Sequence, residues 1–229
     1  FGNILAAYYA KQMGVPINKL ICASNEKKVL FDFFRTGTYD KNREFVLTSS
    51  PSMDILISSN LERLIYTIAG QDGQKNAELM DALKSSGAYE ITKEMKGKLD
   101  DFVGGYATEE QTAQAIHDTY KRTGYVMDTH TAVASCVCAQ YREESGDEKN
   151  FLLPPPASPY KFVGSVMRAI DAEYAGRDEF ELVDELEKLS QVAVPNAVKE
   201  IRDAKILHTR ECDADKMKET VKEILEIEV

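Results

Sequence analysis

Four consecutive residues, Asp128-Thr129-His130-Thr131, put a carboxylate, two hydroxyls and an imidazole within about one turn of chain, the side-chain types that hold and move protons. They stand where Tyr125-Val126-Met127 gives way to helical periodicity, so two readings are open. The group forms a site at a strand-to-helix transition, or Asp128 or Thr129 caps the helix while His130 satisfies a local hydrogen bond. Gly2-Asn3 opens an amphipathic helix, where unpaired N–H groups and the helix dipole favour an anion and glycine lets it approach. The same pair also suits plain capping. Ser24-Asn25-Glu26 follows an apolar run directly, the place outside strand ends where open α/β sheets take ligands, although Asn25 also suits a helix cap. His117 and His208 have no comparable company and read as structural. Cys136-x-Cys138 lacks both the C-x-x-C spacing and a histidine at zinc-ligand distance, so no metal site is predicted and the thiols read as core residues.

These groups need elements to present them. Ile4, Leu5, Tyr8, Tyr9 and Met13 recur at helical spacing, with Asn3 as the cap and Gly14 and Pro16 as the stop. Lys19 to Ser24 predicts a buried strand and Val29 to Arg35 a helix before Gly37. Further strands are expected at Glu44 to Leu47, Phe102 to Tyr106, Phe151 to Pro154 and Lys205 to His208. Ser59-x-x-Glu62 and Thr108-x-x-Gln111 have the form of capping boxes ahead of the helices carrying Leu61, Leu64, Ile65 and Ile68, and Ala115, Ile116, Thr119 and Tyr120. Another helix is expected from Thr129 to Tyr141, and Ser158-Pro159 starts one carrying Val163, Val166, Met167 and Ile170. Two more helices fill the tail from Asp178. Strands alternating with helices predict an α/β fold with a largely parallel sheet, with soft boundaries near residues 48 and 150.

The chain has 229 residues, 38 acidic against 28 basic side chains and a formal net charge of -10, a balance that argues against a general nucleic-acid surface and for a small-molecule or protein partner. No run approaches the roughly 18 apolar residues of a membrane span. The four cysteines suit a reducing, cytoplasmic setting. The chain opens Phe1-Gly2-Asn3-Ile4 without an initiator Met, which predicts a truncated product whose N-terminal part is missing.

Taken together, several segments resemble the threonine synthases, pyridoxal-phosphate enzymes of the fold type that includes the tryptophan synthase β chain. They are Phe1-Gly2-Asn3, as the end of a Gly-Asn-Phe-Gly-Asn motif, Ala10-Lys11-Gln12-Met13-Gly14-Val15-Pro16-Ile17, Ala23-Ser24-Asn25-Glu26, Pro51-Ser52-Met53-Asp54-Ile55, Ser59-Asn60-Leu61-Glu62-Arg63, Gly124-Tyr125, Asp128-x-His130-Thr131-Ala132 and Ser158-Pro159-Tyr160-Lys161-Phe162. They follow the family order over about two thirds of the chain.

The resemblance implies a C-terminal fragment of such an α/β, parallel-sheet enzyme. Residues 1–48 would be part of the large cofactor-binding domain, 49–150 a helical region returning to it, and 151–229 a C-terminal α/β portion. It implies that Phe1, Gly2 and Asn3 hold the phosphate of pyridoxal phosphate through backbone N–H groups. Thr131 would face the pyridine nitrogen, with Ser24, Asn25 and Glu26 near the ring face. Thr129 stands where the family has proline, which alters the local backbone but leaves the Thr131 hydroxyl. A hydroxyl at the ring nitrogen, unlike a carboxylate, is expected not to favour a protonated ring strongly. The implied reaction converts O-phospho-L-homoserine and water into L-threonine and phosphate by γ-elimination and β-addition of water. The Schiff-base lysine is expected upstream of Phe1, so no catalytic residue is assigned here, the isolated fragment is expected to be inactive, and its missing N-terminal portion is an expected partner. Lys161 reads as packing or a surface ion pair. A binding or regulatory module that keeps the fold without catalysis is the alternative.

Overall fold

The computed structural model describes residues 1–227. Residues 1–193 form one compact unit and the chain from Val194 a second. The first unit opens with α1 (Gly2–Gln12), which buries Leu5 and Tyr8 and ends at Gly14, whose φ of +99° reverses the chain. Strand β1 (Leu20–Ser24) alternates buried and half-buried residues and leads through Lys28, at φ 56°, into α2 (Val29–Thr36). The short β2 (Thr38–Asp40) follows.

Helix α3 (Leu61–Ile68) shows why the apolar spacing works: Leu61, Leu64, Ile65 and Ile68 share one face and each is at most 1% exposed. Then come α4 (Gly73–Ser85), β3 (Ala88–Glu90), α5 (Lys93–Gly97) and β4 (Phe102–Tyr106). Helices α6 (Glu109–Thr123), α7 (Thr129–Ser145), α8 (Val163–Ile170) and α9 (Glu179–Ser190) complete the unit. The second unit holds α10 (Asn196–Arg202) and α11 (Met217–Ile224).

β1 and β4 pair in parallel, from Leu20 opposite Phe102 to Ser24 opposite Tyr106. Successive residues of a strand face opposite sides, and β4 uses two glycines to accept a helix on each. A Cβ on Gly104 would stand 3.2 Å from the Phe31 backbone of α2, and one on Gly105 would stand 2.3 Å from Val137 Cγ1 of α7. The result is a helix–sheet–helix sandwich, an α/β fold in which β4 leads directly into the first turn of α6.

The core beside it is aromatic. Phe33 and Tyr39 are fully buried, Tyr39 stacks on Tyr89 at 5.4 Å, and Phe1 stacks on Phe34 at 6.0 Å, which seats the first turn of α1.

Several sequence expectations need correction. Phe1, not Asn3, is the N-cap of α1, and Asn3 lies inside the helix. Residues 44–47, 151–154 and 205–208 are not strands, because they find no partner to share a ladder; Leu47, Leu152 and Ile206 are 75%, 92% and 79% exposed. β2 and β3, with three residues each, went unread, and they pair antiparallel, Thr38 opposite Glu90. The box at Ser59 does not form: Asn60 is the N-cap of α3 and makes no side-chain cap bond. Asn25 caps no helix either, since α2 starts from Lys28. Ser158-Pro159 starts a 3-10 turn, Pro159–Phe162, before α8. The box of Thr108 and Gln111 forms in full at α6.

Candidate functional site

Asp128 caps α7. Its Oδ1 accepts from the His130 and Thr131 amides at 2.9 and 3.2 Å, and its Oδ2 accepts from the Thr131 hydroxyl. The carboxylate is 2% exposed. Burial pushes its pKa up, but the hydrogen bonds from His130 and Thr131 outweigh that and hold it below the usual carboxylate value. Capping thus explains the Asp128 position, and it also locks Thr131, which is 6% exposed, in one orientation. The His130 ring is 4% exposed and tilts against Phe162 at 5.4 Å. Its Nδ1 lies 3.4 Å from the Thr129 hydroxyl and 3.5 Å from Asp128 Oδ1, while Nε2 is buried without a partner.

At the carboxyl end of β1, Ser24 Oγ is buried and has no hydrogen-bond partner. Asn25 next to it is 1% exposed and braces a distant loop. Its amide faces Asp54 Oδ1 at 2.7 Å, Thr48 Oγ1 at 2.9 Å and Ser50 Oγ at 3.2 Å, three acceptors for two hydrogens. Asp54 is held in turn by the Thr48 hydroxyl at 2.7 Å and the Thr48 amide at 2.9 Å. Glu26 caps α6 by accepting from the Glu109 amide at 2.9 Å, and Glu109 accepts from the Ser49 amide at 2.9 Å. The loop over residues 48–54 is therefore tied to the strand end twice, which the separate readings of Ser24-Asn25-Glu26 and Pro51-Ser52-Met53-Asp54 did not foresee.

The third group is the first turn of α1. The first intrahelical bond there is from Leu5 N to Phe1 O at 3.0 Å, and no side chain caps the helix, leaving the N–H groups of Gly2, Asn3 and Ile4 without intrahelical acceptors. A Cβ on Gly2 would meet Asn60 Nδ2 at 3.4 Å. Arg63 donates to Asn60 Oδ1, which orients the amide. Asn60 and Arg63, which the sequence reading named only within the segment Ser59-Asn60-Leu61-Glu62-Arg63, thus border the glycine that was singled out for an anion. Nothing local in the sequence links positions 58 residues apart.

Group by group, the chemistry present suits pyridoxal phosphate: a glycine-opened helix end for a dianion, a buried hydroxyl for a ring nitrogen, and a buried polar atom lacking a partner at Ser24 and another at His130. Among the described residues no group of three His, Cys, Asp or Glu side chains could hold a metal ion.

No protein-family model matches the chain. It is 44% identical over 172 residues, 74% of its length, to threonine synthase-like 1 of Pongo abelii, covering 23% of that protein. The crystal structure of threonine synthase from yeast superposes with a TM-score of 0.80 at 29% identity, over 99% of this chain and 46% of that one. The pyridoxal-phosphate-bound threonine synthase of Brucella melitensis matches at 36% identity and a TM-score of 0.66, over 83% of this chain and 39% of that one. The chain is threonine synthase-like. It spans about a quarter of the threonine synthase-like 1 sequence and less than half of each solved threonine synthase. Among the described residues of this threonine synthase-like chain, no helix is long and apolar enough to cross a membrane.

Proposed function

We propose that this chain is the part of a pyridoxal-phosphate-dependent threonine synthase that seats the cofactor, in an enzyme converting O-phospho-L-homoserine and water into L-threonine and phosphate. The observation carrying this reading is the pair of buried, unpartnered polar atoms, Ser24 Oγ at the end of β1 and His130 Nε2 in the first turn of α7. A buried polar atom without a partner in a folded protein calls for a ligand or water to complete it.

In this reading the backbone nitrogens of Phe1, Gly2 and Asn3 hold the cofactor phosphate. Phe1 anchors that turn on Phe34 and Phe102, with centroids 6.0 and 6.5 Å away. Thr131 faces the pyridine nitrogen. Asn25 serves the ring face by fixing the 48–54 loop, since its amide hydrogens are committed to Thr48, Ser50 and Asp54. When bound, the cofactor supplies an electron sink for substrate protons lost at carbon. The three groups contain no lysine amine, so the chain by itself is inactive and the nucleophilic lysine comes from another portion of the same enzyme, its partner. The division at residues 48 and 150 belongs to the same reading. So does a cytoplasmic location, which the four free thiols suit, and so does the absence of nucleic-acid and membrane partners.

The test is phosphate and threonine release from O-phosphohomoserine by the chain alone and by the full-length polypeptide, with borohydride trapping of any lysine bound to the cofactor. Turnover and a single trapped lysine are expected only in the full-length protein. Stoichiometric trapping and threonine formation by this chain alone would sink the proposal. Cofactor binding by the full-length protein without turnover would favour a non-catalytic module.

A further inference from the structure

We propose that a cavity where α6 packs on α8 binds a small zwitterionic α-amino acid, with Glu109 taking its ammonium group and Arg168 its carboxylate. The inference goes beyond the cofactor reading and stands without it, because it rests on a different set of side chains.

The cavity exists because the two helices meet on small residues. Ala113 of α6 and Ser165 and Ala169 of α8 line a space of about 130 Å³, which larger side chains at native packing density would have closed. Glu109 stands four residues before Ala113, in the first turn of α6, and so shares its wall. Its Oε2 accepts from the Ser49 amide at 2.9 Å, and its Oε1 is buried without a partner. A buried carboxylate oxygen left unmade is costly, and an acceptor-only group is completed by a donor. Arg168 lines the same cavity from the last turn of α8, three residues on from Ser165. It is exposed, so it marks the open side, and it forms no ion pair among the described residues. Its guanidinium is available to an anion.

A carboxylate with an oxygen to spare and an unpaired guanidinium on the walls of one small cavity call for a ligand that carries both charges. A plain anion is repelled by Glu109, and a plain amine leaves Arg168 unmet. The Ser49 and Ser165 side chains add neutral hydrogen-bonding groups, while Ala113 and Ala169 leave a short apolar stretch. The space equals roughly the share of four water molecules in the liquid, enough for an α-amino acid with a short side chain and too little for an aromatic one. Occupancy also bears on the loop over residues 48–54. Glu109 holds that loop through Ser49, and Asn25 holds it through Thr48, so a ligand that fixes the Glu109 carboxylate steadies the loop from its second side.

The experiment titrates full-length protein with L-serine by calorimetry, after borohydride has reduced any cofactor aldehyde so that no amino acid can condense with it. Saturable binding of one equivalent is expected. Glu109→Gln keeps an acceptor for the Ser49 amide but loses the charge, and it should weaken binding about tenfold or more. Arg168→Met should weaken it about threefold, the effect of an exposed pair. Gly2→Val, which disturbs the phosphate seat, should bind L-serine as the wild type does. Ethanolamine, lacking the carboxylate, should bind about threefold more weakly than L-serine, and glycolate, lacking the ammonium, at least about tenfold more weakly. L-Phenylalanine should not bind. Absence of L-serine binding to the wild type, or unchanged binding in Glu109→Gln, overturns the inference while leaving the cofactor reading standing. Equal affinity for ethanolamine and L-serine, or an unchanged Arg168→Met, overturns the amino-acid assignment. A protein that takes L-serine in this pattern yet never binds pyridoxal phosphate overturns the cofactor reading alone.

Discussion

Adding one methyl group at Gly105 should loosen the seat of α7. A Cβ built there lies 2.3 Å from Val137 Cγ1, whereas two carbons rest at about 3.5–4.0 Å. The two groups must therefore separate by more than about 1 Å. Val137 is 2% exposed and sits in mid-helix, where a β-branched side chain has one preferred rotamer, so the helix has to shift. Overpacking of this kind costs about 1–3 kcal/mol. Against it, replacing glycine by alanine restricts the unfolded chain and returns about 0.4–1 kcal/mol. Gly105→Ala should thus lose roughly 1–2 kcal/mol in urea unfolding at pH 7. Val137→Ala alone should lose about 2 kcal/mol through its cavity. If the clash is the cause, the double variant should be more stable than the sum of the two by about 1 kcal/mol or more. The control is Gly104→Ala, whose Cβ meets Phe31 at 3.2 Å and should cost less. A Gly105→Ala variant as stable as wild type, or strict additivity in the cycle, would refute this account of how α7 rests on β4.

Three further outcomes are expected. The Asp128 carboxyl is held below its ordinary value by the hydrogen bonds it accepts, so its stabilising contribution is complete above that value and disappears as pH falls through the lower folded one. Asp128→Asn should accordingly flatten the loss of urea stability on acidification below about pH 4, and an unchanged pH profile would contradict the geometry. Gly2→Val in the full-length protein should weaken pyridoxal phosphate binding at least about tenfold, as a branched side chain crowds the amides and Asn60; equal affinity by fluorescence titration counts against the phosphate seat. The Cys22 thiol is buried and pushed up to about 12 by desolvation, whereas Cys212 is exposed. A thiol reagent at pH 8 should modify Cys212 first and reach Cys22 only on unfolding, and early modification of Cys22 would show that β1 opens in the native state.

How much of this was readable beforehand depends on how far apart the partners are. Helix α3 declares itself through four apolar residues on one face, the cap of α6 through Thr108 and Gln111, and the strands at 20–24 and 102–106 through short apolar runs bounded by breakers. Each of these is a property of neighbours within a turn or two. The strands expected at 44–47, 151–154 and 205–208 failed for the opposite reason: a strand is completed by a ladder partner, and apolar composition alone does not supply one. β2 and β3 are three residues each, too short to show a period, and exist because the chain between them folds back to bring Thr38 against Glu90.

At the candidate site, Asp128 was readable as a cap because its three donors lie within three residues. The resemblance to threonine synthases singled out Thr131, but its hydrogen bond to Asp128 is set by the first turn of α7. The bracing of Asn25 by Thr48, Ser50 and Asp54, the placement of Asn60 beside Gly2, and the contact of Gly105 with Val137 could not be read from residue types. They join positions between 23 and 58 residues apart, and such pairs are selected by how whole helices and strands pack, a constraint that acts on shape and volume rather than on local pattern.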